Sequence, residues 1–142
     1  MKNILIIFLP LLMVLTNLPL ADGELTLTVA DVKSSDGVIR VLLFKSSDGF
    51  PDEPDKAVKS ASVKIEGNKA VVTFKDLPQG TYALSVFHDS RNVGKLRTNA
   101  LGIPRDGYGF SNNASGTFGP PSFEKAAFQV KAGQNKHEIN LK

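Results

Sequence analysis

Apolar side chains recur at every second position through most of this chain, and almost nowhere at every third or fourth. Its regular elements are therefore expected to be strands. Leu25, Leu27 and Val29 alternate with Thr26 and Thr28. Val63 and Ile65 lead through Gly67-Asn68, a two-residue hairpin turn of the primed kind, to Val71, Val72 and Phe74. Thr81 to His88 carries Tyr82, Leu84 and Val86 on one side. Much later Ala126, Phe128 and Val130 alternate, Gly133-Gln134 turns the chain, and Ile139 and Leu141 close it. Val38 to Phe44 is almost continuously apolar and follows an Asp36-Gly37 turn, which predicts a central strand buried on both faces. About seven short strands separated by turn signals predict an all-β chain, an antiparallel Greek-key β-sandwich. One short helical turn is expected within 53–60, limited by Pro51 and Pro54.

The first 21 residues do not fit this pattern. Lys2 precedes an apolar run from Ile4 to Leu15, which Thr16, Asn17 and Pro19 break, and Ala21 is the expected last residue before cleavage. The run is shorter than the ~20 residues that span a bilayer, so 1–21 reads as a secretory signal peptide. Residues 22–142 then form a single domain, with no transmembrane segment in the mature chain. That places the protein in the periplasm or outside the cell. The chain has no Cys, so an exported domain must hold itself without disulfides. Losing Lys2 with the leader lowers the formal charge from +3 to +2. The basic residues are scattered and no aromatics interleave them, which argues against nucleic acid as a partner.

The stretch from Val86 to Phe123 has almost no hydrophobic period, yet it keeps Tyr108, Phe110, Phe118 and Phe123. Loops this long inside small domains are uncommon and usually functional, and these aromatics argue for order. Tyr108, Phe110 and Phe118 would make a shallow platform for a sugar ring or a peptide. Alternatively they fold back as a plug at one end of the domain, with Tyr108 exposed and Phe110 and Phe123 buried.

Val72-x-Phe74-x-Asp76-Leu77-Pro78-x-Gly80-x-Tyr82-x-Leu84 resembles the strand–turn–strand of transthyretin-like and collagen-adhesin B-type sandwiches, with Ig-like strand order. A second set is more specific: His88-Asp89, Gly94-Lys95-Leu96, Thr98-Asn99, Leu101-Gly102-Ile103-Pro104, Gly107 to Asn113, and Pro120-x-Ser122-Phe123. It resembles the exported bacterial family termed domain of unknown function number 2141, over roughly Leu25 to Leu141. The resemblance implies a small extracytoplasmic β-sandwich and no established activity. It also implies a calcium loop after the His-Asp pair, since Ca²⁺ takes six to eight oxygens that alternate positions around a Gly supply. Asp89 and Gly94 match that pattern, but Arg91, Val93 and Arg97 stand where oxygen ligands belong. Only Asn92 and Asn99 remain as amide donors, so the expectation is no cofactor, with Asp89 the one weak calcium candidate. Arg91 or Arg97 would instead place a guanidinium where the ion sits, paired with Asp89 or Asp106.

Other chemistry is thin. His88 and Asp89 face opposite sides of a strand, and His88 is in phase with Tyr82, Leu84 and Val86, as a satisfied histidine at the core edge would be. His137 reads as exposed, and two His with no Cys do not make a transition-metal site. Hydroxyisourate hydrolase, the enzyme of the transthyretin fold, closes on Tyr-Arg-Gly-Ser; here the corresponding residues are Ile139-Asn140-Leu141-Lys142. The expected function is therefore a binding or accessory module with its recognition surface on 89–122. Asp89, Asn92, Arg97, Asn99, Tyr108 and Asn112 are the candidate ligand-binding residues, and the partner is a protein or polysaccharide of the cell envelope. The alternatives are a periplasmic hydrolase using His88 and Asp89, and a purely structural envelope protein.

Overall fold

The computed structural model describes residues 16–142, so most of the expected signal peptide, 1–21, lies outside the described residues. Among the described residues no helix is long and apolar enough to cross a membrane. The described residues are mostly β, with eight strands among them where about seven were expected. They are β1 (Gly23–Ala30), β2 (Val38–Phe44), β3 (Lys59–Lys64), β4 (Ala70–Leu77), β5 (Gly80–Asp89), β6 (Tyr108–Phe110), β7 (Phe128–Val130) and β8 (Gly133–Asn140). A single helical turn, α1 (Phe123–Ala126), precedes β7, and 3-10 turns occupy Pro54–Lys56 and Ser111–Asn113.

The strands form two open sheets. One has the order β4-β1-β8. The other has the order β3-β2-β5-β6, and β7 also pairs with β5. The pairing corrects the antiparallel expectation at one place: β8 runs parallel to β1 from Gly23↔Gly133 to Ala30↔Asn140. β8 is polar because most of its side chains face solvent, and only Asn135, His137, Ile139 and Asn140 make specific contacts. The Asn135 amide donates to the carbonyls of Glu24, Lys131 and Gly133, and the His137 ring stacks on Phe128 at 4.4 Å. His137 is therefore half-buried, not exposed.

Alternation builds one core that both sheets share. Leu25, Leu27 and Val29 of β1, Ile39, Val41 and Leu43 of β2, Leu84 and Val86 of β5, and Ile139 of β8 are all nearly inaccessible. Each such side chain contributes about 1.5–3 kcal/mol by leaving water. The Gly67-Asn68 turn closes as expected, with Glu66 and Lys69 exchanging backbone hydrogen bonds of 2.8 and 3.2 Å and φ +65° at Gly67. Tyr82 is buried, and its hydroxyl donates to the Pro78 carbonyl at 2.6 Å, locking the turn before β5.

The strand buried on both faces is β5, not β2. β2 keeps the half-exposed Arg40 and Leu42 on its outer side, whereas Tyr82 to Val86 is buried without a break. The cause lies in the long segment. Phe110 pairs opposite Ser85, and Phe44 opposite Ala83, so all four share the outer face of this sheet. Phe50 sits among them, 5.4 Å from Phe44, 6.1 Å from Phe110 and 5.9 Å from Phe123. This aromatic layer roofs Ala83 and Ser85. The segment is thus neither a structureless loop nor a plug at one end of the domain. Phe110 and Phe123 are half-buried, Tyr108 likewise, and Phe118 is fully exposed.

Candidate functional site

β5 ends at Asp89, where the outer face turns from aromatic to charged. Asp89 and Arg40 both point to that face, since Arg40 pairs opposite Phe87, two residues before Asp89. The chain leaves β5 in a tight turn. Asn92 takes φ +53° and Gly94 φ +83°, conformations that Asn tolerates and Gly adopts freely. The turn aims two backbone donors back at the carboxylate: Val93 N–H to Oδ1 at 2.9 Å and Gly94 N–H to Oδ2 at 2.7 Å. Arg40 Nε donates to Oδ2 at 3.0 Å, and its other nitrogens reach Asn92 Oδ1 and Ser62 Oγ, each at 2.7 Å. Asp89 is 1% exposed. Burial pushes its carboxyl up, but the two amides and the guanidinium outweigh that and hold it below the ordinary carboxylate value. Gly37 seals the other side: at φ +68° it lies so close to the Asp89 carbonyl that a Cβ would overlap it.

A second carboxylate repeats the device. Arg97 grips Asp106 through Nε, 3.0 Å from both carboxylate oxygens, and Nη2, 2.6 Å from Oδ1. Its backbone N–H adds a bond of 3.1 Å, and Ser90 Oγ donates to Oδ1 at 3.2 Å. The Arg97 guanidinium, more than the other donors, keeps the Asp106 carboxyl low despite burial, and Asp106 in turn raises Arg97. Between the two residues the chain forms a narrow hairpin. Arg105 N–H bonds the Arg97 carbonyl at 2.8 Å, and Thr98 bridges Pro104. Asn99 Oδ1 closes its tip by accepting from Leu101 N–H at 2.9 Å and Ile103 N–H at 3.0 Å.

The later half of the segment is anchored differently. Ser111, fully buried, accepts from Leu84 N–H at 2.9 Å and donates to the Ala126 carbonyl. Asn112 donates through Nδ2 to the carbonyls of Lys125 (3.2 Å) and Ala127 (2.8 Å), and its N–H donates to His137 Nε2 at 3.0 Å. Burial lowers the His137 pKa, which suits a ring nitrogen that must stay an acceptor. Ser122 Oγ caps α1 through Lys125 N–H at 3.2 Å, so Ala126 is helical and not the start of a strand.

These contacts place each sequence-predicted residue. Asp89 and Asn92 share one network with Arg40, which the sequence reading passed over. Its signal was a lone cation at an outward position in an otherwise apolar strand. Arg97 pairs with Asp106, while Arg91 is exposed. Asn99 and Asn112 spend their amides on backbone groups. Tyr108 lies apart from the charged network, beside Phe110 at 6.0 Å between ring centres. The hollow against Tyr108 and Phe110 is about 50 Å³, room for a water or two and not for a sugar ring. Phe118 does not line it. His88 and Asp89 share no face: the buried His88 ring bonds the Asp36 carbonyl through Nε2 at 2.7 Å, on the core side.

The surroundings of Asp89 do not fit calcium. A cation site needs converging lone pairs, and here two N–H groups and a guanidinium converge on the single carboxylate. Among the described residues no three His, Cys, Asp or Glu gather as metal ligands. Arg40, not Arg91 or Arg97, occupies the place of a positive ion beside Asp89.

Searches of curated proteins and of solved structures returned no match. Residues 27–138, from the second half of β1 to near the end of β8, match the family described as "Uncharacterized protein conserved in bacteria (DUF2141)". The loop after the His-Asp pair and the strands that frame it all fall inside that match, and the chain belongs to this family.

Proposed function

We propose that this protein is an exported bacterial binding or accessory module, with its recognition surface on segment 89–122. In this reading the leader directs it to the periplasm or beyond, and the partner is a protein or polysaccharide of the cell envelope. The two sheets are read as a Greek-key β-sandwich of transthyretin-like kind, supported by the shared core and by the Tyr82–Pro78 tie at the turn that resembles that group.

One observation carries the recognition reading. Around the loop after β5 three polar side chains turn in on backbone while three large apolar ones face outward. Asp89, Asn99 and Asp106 are consumed in holding backbone, while Val93, Leu101 and Ile103 are 59%, 83% and 55% exposed. A loop that only connected strands would gain solubility from the reverse arrangement. Fixing an apolar crest on a rigid frame lowers the ordering cost of binding. The test is retention of the purified protein on envelope fractions, protein and polysaccharide separately. Retention should fall sharply in the Leu101→Ser/Ile103→Ser variant at unchanged thermal stability. Equal retention would overturn the reading. Intact mass of protein secreted from cells expressing the whole chain checks the leader, with loss of residues 1–21 expected.

A further inference from the structure

We propose that the cleft at the base of this loop is a binding site for an oxyanion, a phosphate or carboxylate group on a small ligand. The cleft holds about 190 Å³ and opens between the segment after β1, the end of β5 and the base of the hairpin. Four cationic side chains line it: Lys33, Arg97, Arg105 and Lys142. Among the described residues Lys33, Arg105 and Lys142 form no ion pair; those present involve Arg40, Lys56 and Arg97. Against these four cations the lining carries two carboxylates, only one of them in an ion pair. Asp106 is taken by Arg97 and Ser90, and Asp31 accepts from the Asn140 amide at 2.9 Å. The local field in the cleft is therefore positive, and its walls focus it.

Arg97 gives the site its geometry. Asp106 and Ser90 hold its Nε and Nη2 from behind, while Nη1 makes no hydrogen bond within the protein. With a third of the side chain still exposed, that nitrogen offers two N–H groups in a fixed direction. A pre-oriented guanidinium loses little freedom on meeting an oxyanion, and Lys33 and Arg105 add longer, adjustable charges. The hydroxyl of Ser34, which also lines the cleft, accepts from Asp36 N–H at 3.4 Å and keeps its proton to donate. The volume is below the ~300 Å³ at which ordinary ligand pockets begin, so the cleft takes the charged group and part of one ring.

The inference rests on the recognition reading only in that the hairpin base forms one wall. Calorimetric titration tests it, with protein from cells expressing the whole chain. The probes are sodium phosphate and sodium glucuronate at constant ionic strength, with sodium chloride as control. At least one probe should bind saturably, and Lys33→Gln/Arg105→Gln should weaken it by about tenfold or more. Lys45→Gln, an exposed lysine outside the cleft lining, should leave it unchanged. Phosphate alone would assign a phosphoryl ligand, and glucuronate alone a carboxylate. Binding of neither above chloride, or equal binding by the double variant, would overturn the site. The Leu101→Ser/Ile103→Ser variant separates the two ideas. Envelope retention that depends on the crest, with no anion bound, sinks the cleft alone. Anion binding with no crest-dependent retention sinks the recognition reading alone.

Discussion

The two halves of the segment between β5 and β7 solve one problem with different forces. Both must fix irregular backbone against the outer face and edge of the same sheet. Residues 89–106 do it with two buried carboxylates, one collecting two backbone amides and the other one, and each holding one arginine. Residues 108–126 do it with an aromatic layer, a buried serine and an asparagine, all uncharged. The first half has few apolar residues to bury and leaves Val93, Leu101 and Ile103 exposed, so charge replaces packing there. The second half can bury rings and needs only its backbone groups satisfied. Charge-built order should respond to pH and to the loss of one partner far more than ring-built order does.

The largest expected break in this comparison is Arg40→Ala. It leaves the Asp89 carboxylate buried with only the Val93 and Gly94 amides, and should cost roughly 3 kcal/mol in denaturant unfolding. Arg40→Ala/Asp89→Asn should recover part of that loss, because it removes the unpaired charge and keeps an acceptor for one of the two amides. A double variant no more stable than the single one would show that lost packing, not charge, is what matters there.

Next in size, Ser111→Ala strands the Leu84 N–H and the Ala126 carbonyl in a fully buried spot, at about 2 kcal/mol. Its effect should be the same at pH 7 and pH 5 to within error, since nothing in that anchor carries a charge.

Acid should then separate the halves in time. Both carboxyls sit lower in the folded protein than in the unfolded chain, whose carboxyls ionise near pH 4. The unfolded chain therefore takes up protons first as pH drops. The stability these groups add is complete above about pH 5 and is lost as pH falls through the folded values. Hydrogen exchange below about pH 5 should show amides of 90–106 losing protection before those of 108–126, apart from Asn112 N–H, whose His137 acceptor is charged earlier. Simultaneous loss would erase the distinction.

The smallest effect belongs to His137, whose folded value is also lowered. For a histidine the neutral form is then favoured by folding. Its contribution is whole above the ordinary histidine range near pH 6.5 and erodes as pH falls below it. Charging the ring also turns the acceptor of Asn112 N–H into a donor. The melting temperature should slope down between pH 7 and pH 5, and His137→Gln should flatten that slope.

The strands were legible wherever alternation was strong. β1, β4, β5 and the Gly67-Asn68 turn follow their apolar periods closely. β8 was nearly silent, with one buried aliphatic in eight residues, because most of its side chains face solvent and Asn135 bonds to backbone instead of entering the core. β6 and α1 were silent because three or four residues are too short for any period to show. At the site, the match of Asp89 and Gly94 to a calcium-type turn marked the right place. The same match hid the partner, since Arg40 is 49 residues from Asp89 along the chain.

The family, the β character of the chain, most of its strands and the place where order departs from periodicity are all readable from the order of residues. Those properties are local: alternation, turn residues and a motif are written into neighbouring positions. That β8 runs parallel to β1, that β5 is the strand covered on both faces, and which arginine neutralises which carboxylate emerge from the folded arrangement alone. Each of these depends on which distant segments share a face, and a side chain in a strand reports its own direction but not what meets it there.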